Sequence, residues 1–182
     1  MRTNRDRALD AGIELLGTEG VRSLTHGRVD QRAGLPKGST SNCFRTRAAL
    51  LEGVIDALLA AETAPVGAAF AAASVEEMVD ALTGLFEFLT GPQAVVTTAR
   101  LSLYLEAAHD EALSAALARG RATLEEQIRP SFVALGAPDP DLAIQALATT
   151  FEGMFLHALA RHAAIDARRL IDLVIRAVLP GS

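Results

Sequence analysis

The chain has 182 residues, half of them hydrophobic and rich in Ala, with seven Phe, one Tyr and no Trp, a mixture that favours helices over sheets and is long enough to bury a sizeable core. A single cysteine, Cys43, excludes an internal disulfide, and neither a leader-like start nor an uninterrupted apolar run of about 18 residues stands out, so a soluble, cytoplasmic protein is expected. The net charge of −5 is unevenly divided: residues 1–47 carry nine Arg or Lys against five acids, a balance of +4, and residues 48–182 carry eight against seventeen, a balance of −9.

Helical spacing of Leu9, Ile13 and Leu16 after the capping-box-like Thr3-Asn4-Arg5-Asp6 predicts a first helix to about Gly17. Thr25 is placed to cap a short second helix with Val29 and Ala33 facing inward, ending at Gly34. Gly34-Leu35-Pro36 predicts a tight turn, and a third helix of two turns from Lys37 to Phe44. Leu50/Leu51, Val54/Ile55 and Leu58/Leu59 mark a fourth helix that is expected to couple the N-terminal part to the C-terminal helices. Ala64-Pro65 through Ala73 predicts a break.

Ser74-Val75-Glu76-Glu77 then opens a helix to about Leu89, closed by Gly91-Pro92. A sixth helix is predicted from Gln93 to about Ala108, and a seventh from Asp110 that Gly120 and Pro130 should interrupt. Asp139-Pro140 opens an eighth running to about His162, and Asp166 caps a ninth to Val178. The expectation is an all-α protein of about nine helices with no strand, organised as a helix-turn-helix domain over 1–47 and a helical ligand-binding and dimerisation domain over 48–182.

The basic N-terminal part suits a polyanion, although a solvated basic surface gives the same count. Spacing adds to it. Two short helices joined by a Gly-containing turn match the helix-turn-helix unit that places its second helix in the major groove of double-stranded DNA, against the plainer alternative of an ordinary three-helix bundle. Gly38 allows close approach of backbone to phosphate, and Ser39, Thr40, Ser41 and Asn42 offer hydrogen bonds to base edges or phosphates, with Asn suited to adenine. Thr25, Arg28, Lys37, Arg45 and Arg47 are expected to hold the DNA backbone, and Phe44 to seat the helix as an apolar anchor. Cys43 reads either as a packed small hydrophobe or as a redox sensor.

The run from Leu24-Thr25 through Gly34-Leu35-Pro36-Lys37-Gly38 to Phe44-Arg45-Thr46-Arg47-Ala48-Ala49-Leu50 resembles the DNA-binding domain of TetR-type transcriptional regulators, over about 50 residues. Phe44 matches the family pattern and Arg47 stands at a position usually held by Lys. Ser41, Asn42 and Cys43 occupy positions where Tyr and His are usual. The resemblance implies a homodimeric repressor that binds a palindromic operator and is released by a small-molecule effector, with no cofactor and no catalytic role.

Helix 139–162 is apolar over Leu142, Ile144, Leu147, Phe151, Met154, Phe155, Leu156 and Leu159. It serves either a single-chain core or, with the ninth helix, half of the four-helix dimer interface that the resemblance implies. Arg100 and Tyr104, four apart, with Phe86, Phe151 and Met154, are the candidate ligand-binding residues. Glu106, His109, Glu152 and His157 are further polar candidates, each equally readable as a solvated or core-satisfied side chain. The four histidines and Cys43 show no metal-ligand spacing, and no phosphate loop or nucleophile elbow is present. The rival reading is a helical small-molecule-binding or enzymatic module whose basic N-terminus is incidental.

Overall fold

In a computed structural model, which describes residues 2–179, the chain forms α1 (Asn4–Glu19), α2 (His26–Ala33), α3 (Ser39–Cys43), α4 (Arg47–Ala69), α5 (Val75–Thr90), α6 (Ala94–Ala107), α7 (Glu111–Ala134), α8 (Pro140–Phe155) and α9 (Ala167–Val178), with no strand among the described residues. Single turns at Val21–Ser23, of 3₁₀ type, and Leu156–Ala160, of π type, complete it. The contacts divide the chain into two compact units, residues 1–61 with 95–120, and residues 62–94 with 121–182.

The first unit is built around the buried Leu15, Leu16, Leu24, Val29, Leu50, Val54 and Leu58, joined by Ala99 and Leu103 of α6 and Leu113 and Leu117 of α7. The charge boundary after Arg47 therefore falls inside a packing unit, because the N-terminal helices alone bury too little apolar surface to close a core. α1 starts on a capping box: Asp6 N–H donates to Thr3 Oγ1 at 3.1 Å and Thr3 N–H to Asp6 Oδ2 at 2.9 Å. α2 ends where Gly34 takes the left-handed conformation, φ +62°. α4 begins at a cap that spacing did not indicate, with Ala49 N–H donating to Thr46 Oγ1 at 3.0 Å.

The second unit packs α5 and α8 against α9. Its core holds Met78, Val79, Leu82, Ile171 and Ile175, with Phe86, Phe151 and Phe155 in mutual contact at ring separations of 5.6–6.2 Å. Arg168 bridges Glu76 and Asp80, and Arg176 bridges Glu76 and Asp172, at 2.7–2.9 Å. Because all five groups are solvent-exposed or half-exposed, this network contributes little, and apolar burial sets how α5 and α9 pack.

Four boundaries differ from expectation. α3 begins at Ser39 rather than Lys37, because Gly38 sits at φ +90°, outside the right-handed helical region. α4 continues past Pro65 to Ala69, and α7 past Gly120 and Pro130 to Ala134. A proline inside a long helix removes one N–H, and the neighbouring turns keep their own bonds. Gly120 is instead a packing glycine whose absent Cβ leaves room for the Leu59 side chain. α8 stops at Phe155 and passes through the π turn rather than running on to His162, which takes φ +50°.

Residues 140–160 are long and apolar enough to cross a membrane by length and composition, yet they contribute Ile144, Leu147, Phe151, Met154 and Phe155 to a protein core. Leu142 and Leu156 on that stretch, with Leu170 and Leu173 on α9, are exposed at 40–66%.

Gly17 and Gly27 separate two uses of glycine. A Cβ on Gly17 would overlap the backbone carbonyl of Val95, whereas one on Gly27 would meet open space. Gly17→Ala is expected to destabilise by about 1–3 kcal/mol despite the better helix propensity of Ala, and Gly27→Ala to stabilise by up to about 1 kcal/mol. Urea titrations followed by circular dichroism check both signs.

Candidate nucleic-acid interface

α3 is five residues long and has no side-chain cap of its own, since Gly38 stands at its N-cap. A helix this short is not stable alone, so its conformation is imposed from outside. α2 supplies the constraint. Asp30, buried, accepts from Gly38 N–H at 2.7 Å, from Thr40 N–H at 2.8 Å and from the Thr40 hydroxyl at 2.6 Å. One turn earlier on α2, His26 Nε2 donates to the Phe44 carbonyl at 2.7 Å, where α3 ends. Burial works to raise the Asp30 pKa, but the three hydrogen bonds from Thr40 and Gly38 and a smaller contribution from His26 outweigh it and hold the carboxyl below its ordinary value.

Two arginines fix the frame in which α2 and α3 sit. The Arg7 guanidinium donates to the carbonyls of Ala33 and Gly34 at 2.6 and 3.1 Å, closing the C-terminus of α2. Arg47 donates to Leu24 O at 3.1 Å and Val21 O at 2.9 Å, holding the link between α1 and α2. Phe44 is buried in the core of the unit, under the guanidinium of Arg5 at 4.6 Å from the ring centroid.

This arrangement sorts the residues picked out in the sequence. Thr40 does not face outward as expected: it is fully buried, and its hydroxyl is taken by Asp30. The Ser39 hydroxyl donates to Pro36 O at 2.7 Å and that of Ser41 to Gly38 O at 2.9 Å, which leaves their oxygens free to accept. Arg28 is ion-paired with Glu19, and Arg32 with Glu14 and Glu19, so acids of α1 neutralise much of the charge of α2. Thr25 caps α2, accepting from Arg28 N–H at 3.4 Å. Lys37, Asn42 and Arg45 are exposed and make no side-chain hydrogen bond or ion pair among the described residues. Arg22 shares both properties, and nothing in its spacing singles it out. Cys43 is half-buried and packs against the core.

Sequence reasoning missed Asp30, His26 and Arg7. A carboxylate in the middle of a predicted amphipathic helix reads as a solvated face, and the one signal was its position, one residue after the inward Val29.

The family model described as "Tetracyclin repressor-like, C-terminal domain" matches residues 73–181, more than half of the chain. The chain belongs to the TetR family of transcriptional regulators. Its solved structural neighbours carry the same architecture over nearly their full length. A candidate transcriptional regulator from Streptomyces coelicolor A3(2) is 25% identical with a TM-score of 0.75, covering 98% of this chain and 99% of that one. A transcriptional regulator from Rhodococcus sp. Rha1 is 17% identical with a TM-score of 0.85, covering 98% and 97%. The multidrug binding protein EbrR, solved with ethidium, is 23% identical with a TM-score of 0.72, covering 95% and 96%. No curated protein matches the sequence.

The candidate ligand residues of this TetR-family chain lie in different units. Arg100 and Tyr104 are half-buried on α6 in the first unit, and Phe86, Phe151 and Met154 are buried in the second. Glu152 is paired with Arg121 at 3.4 Å, while Glu106, His109 and His157 are exposed. No three His, Cys, Asp or Glu side chains converge as metal ligands among the described residues.

The lowered pKa of Asp30 gives the cap a pH signature. A carboxyl whose folded pKa lies below its unfolded value stabilises the fold fully above the unfolded value, about 3.9, and loses that contribution as pH falls through the folded value. The stability difference between wild type and Asp30→Asn is therefore expected to shrink as pH is taken from about 5 to below about 4. Chemical denaturation of both proteins across that range measures it, and a difference that grows on acidification contradicts the assignment.

Proposed function

We propose that this protein is a one-component repressor that binds a palindromic operator as a homodimer, with α3 of each subunit in the major groove, and that a small molecule releases it. The observation that carries the reading is the distribution of unpaired polar groups. Around one five-residue helix whose pose is fixed from behind, Lys37, Asn42 and Arg45 stand exposed and uncommitted, while Arg7, Arg28, Arg32 and Arg47 are committed to internal partners. Exposed cations supply phosphate contacts, and an exposed amide supplies a base contact. In this reading Asn42 reads a base. Lys37, Arg45, Thr25, Ser39, Ser41 and the Gly38 backbone meet phosphates, and Phe44, Arg28 and Arg47 support them from within.

Dimerisation is assigned to α8 and α9. Leu142, Leu156, Leu170 and Leu173 leave apolar surface exposed there, and a Cβ on Gly153 would meet nothing within 4 Å, so a second helix has room to approach. The effector is assigned to the C-terminal helices, with its apolar part against Phe86, Phe151 and Met154. The ethidium complex of EbrR, which shares the fold, supports a small aromatic molecule. Release requires only that the effector bind better to the arrangement in which the two α3 helices miss half-sites about 34–36 Å apart. A cytoplasmic location accords with the DNA target.

A gel shift against the DNA upstream of its own gene tests the reading directly. Absence of a sequence-specific shift at every salt concentration favours a helical binding module without a DNA target. Lys37→Ala and Arg45→Ala are each expected to weaken binding to all duplexes and to reduce the slope of log affinity against log salt by about one. Leu173→Arg is expected to give monomers of unchanged helicity and reduced operator affinity, measured by light scattering and anisotropy. An unchanged dimer would move the interface elsewhere.

A further inference from the structure

We infer that Asp30 and His26 are positioning residues for DNA recognition: together they clamp α3 at both ends and so set sequence specificity without touching DNA. The inference rests on the DNA-binding reading above.

The two side chains lie four residues apart on α2 and therefore on one face. Asp30 takes Gly38 N–H, Thr40 N–H and the Thr40 hydroxyl at the start of α3, and His26 donates to the Phe44 carbonyl at its end. Between these points α3 has five residues. Gly38 provides no side-chain cap, and the Ser39 and Ser41 hydroxyls only bond back to the carbonyls of Pro36 and Gly38. The clamp thus fixes the axial position and roll of the helix that presents Asn42.

Phosphate and base contacts respond differently to a loosened helix. A cation near a phosphate is weakly directional and tolerates displacement, whereas an amide reading a base edge must meet two atoms in one plane. A contact of that kind needs its support held to about 0.5 Å and 10–20°. Loss of the clamp is therefore expected to lower affinity for the preferred sequence and to spare non-specific binding.

The test compares a duplex selected from a random library by the wild-type protein with a random-sequence duplex, by fluorescence anisotropy at several salt concentrations. Asp30→Asn turns an acceptor oxygen into an NH₂ facing an N–H or a hydroxyl, His26→Leu removes the donor, and His26→Gln keeps one. Affinity of Asp30→Asn and His26→Leu for the selected duplex is expected to fall roughly tenfold or more, as for a lost charged or buried hydrogen bond, with His26→Gln close to wild type. Affinity for the random duplex and the salt slope are expected to stay within about twofold of wild type. A purely structural role would lower both affinities together. In Asp30→Asn the Gly38 and Thr40 amides are also expected to exchange hydrogen faster, and should that variant not fold, the His26 pair decides. Equal specificity in all folded variants overturns the clamp alone. Failure of the wild-type protein to select any duplex overturns the DNA reading, and the clamp's role with it.

Discussion

One buried carboxylate organises the N-terminal part of this protein. Asp30 sits where a helix of this kind would ordinarily bury an apolar side chain, and it remains there because three donors from α3 and its N-cap converge on it. An unpaired charge at that depth would cost several kcal/mol, so the helix that donates and the carboxylate that accepts are each a condition for the other. The consequence reaches the surface, because the residues that keep Asp30 satisfied are the same ones that open α3. The exposed side chains of Lys37, Asn42 and Arg45 inherit their placement from that buried contact.

The arginines show a second economy. The chain uses Arg for all but one of its basic residues, and in the first unit several guanidiniums serve the fold rather than the solvent face. Arg7 and Arg47 donate to backbone carbonyls at helix ends and links, and Arg28 and Arg32 pair with Glu14 and Glu19. A planar fork with five donors suits such carbonyl and carboxylate acceptors, where a Lys would supply a point charge. A raw excess of +4 over residues 1–47 therefore overstates how many cations are open to a polyanion.

The second unit solves a different problem. Its aromatic trio Phe86, Phe151 and Phe155 and the aliphatic seam of α5, α8 and α9 make a core, to which the apolar run of α8 contributes Ile144, Leu147, Phe151, Met154 and Phe155. The same helices leave Leu142, Leu156, Leu170 and Leu173 exposed. Residues 140–160 show why apolar length alone is ambiguous: a helix that is apolar all round fits a membrane, a buried core or a core with a second protein surface. Here one side is accounted for within the chain.

The sequence by itself determined the all-α class, the caps at Thr3, Thr25, Ser74, Asp139 and Asp166 and the turn at Gly34, since each depends on interactions within a few residues along the chain. The run from Leu24 to Leu50 also carried a resemblance to the TetR family, to which the match over residues 73–181 assigns the chain. Tertiary structure decided what local rules leave open. Pro65 and Pro130 lie within helices because neighbouring turns and packing outweigh one missing N–H. Thr40 is buried rather than displayed because its partner, Asp30, is ten residues away on another helix. Arg47 is drawn to carbonyls more than twenty positions earlier in the chain. Hydrogen bonds between helices have no period in the sequence, so the residues that aim α3 became visible only once the helices were packed.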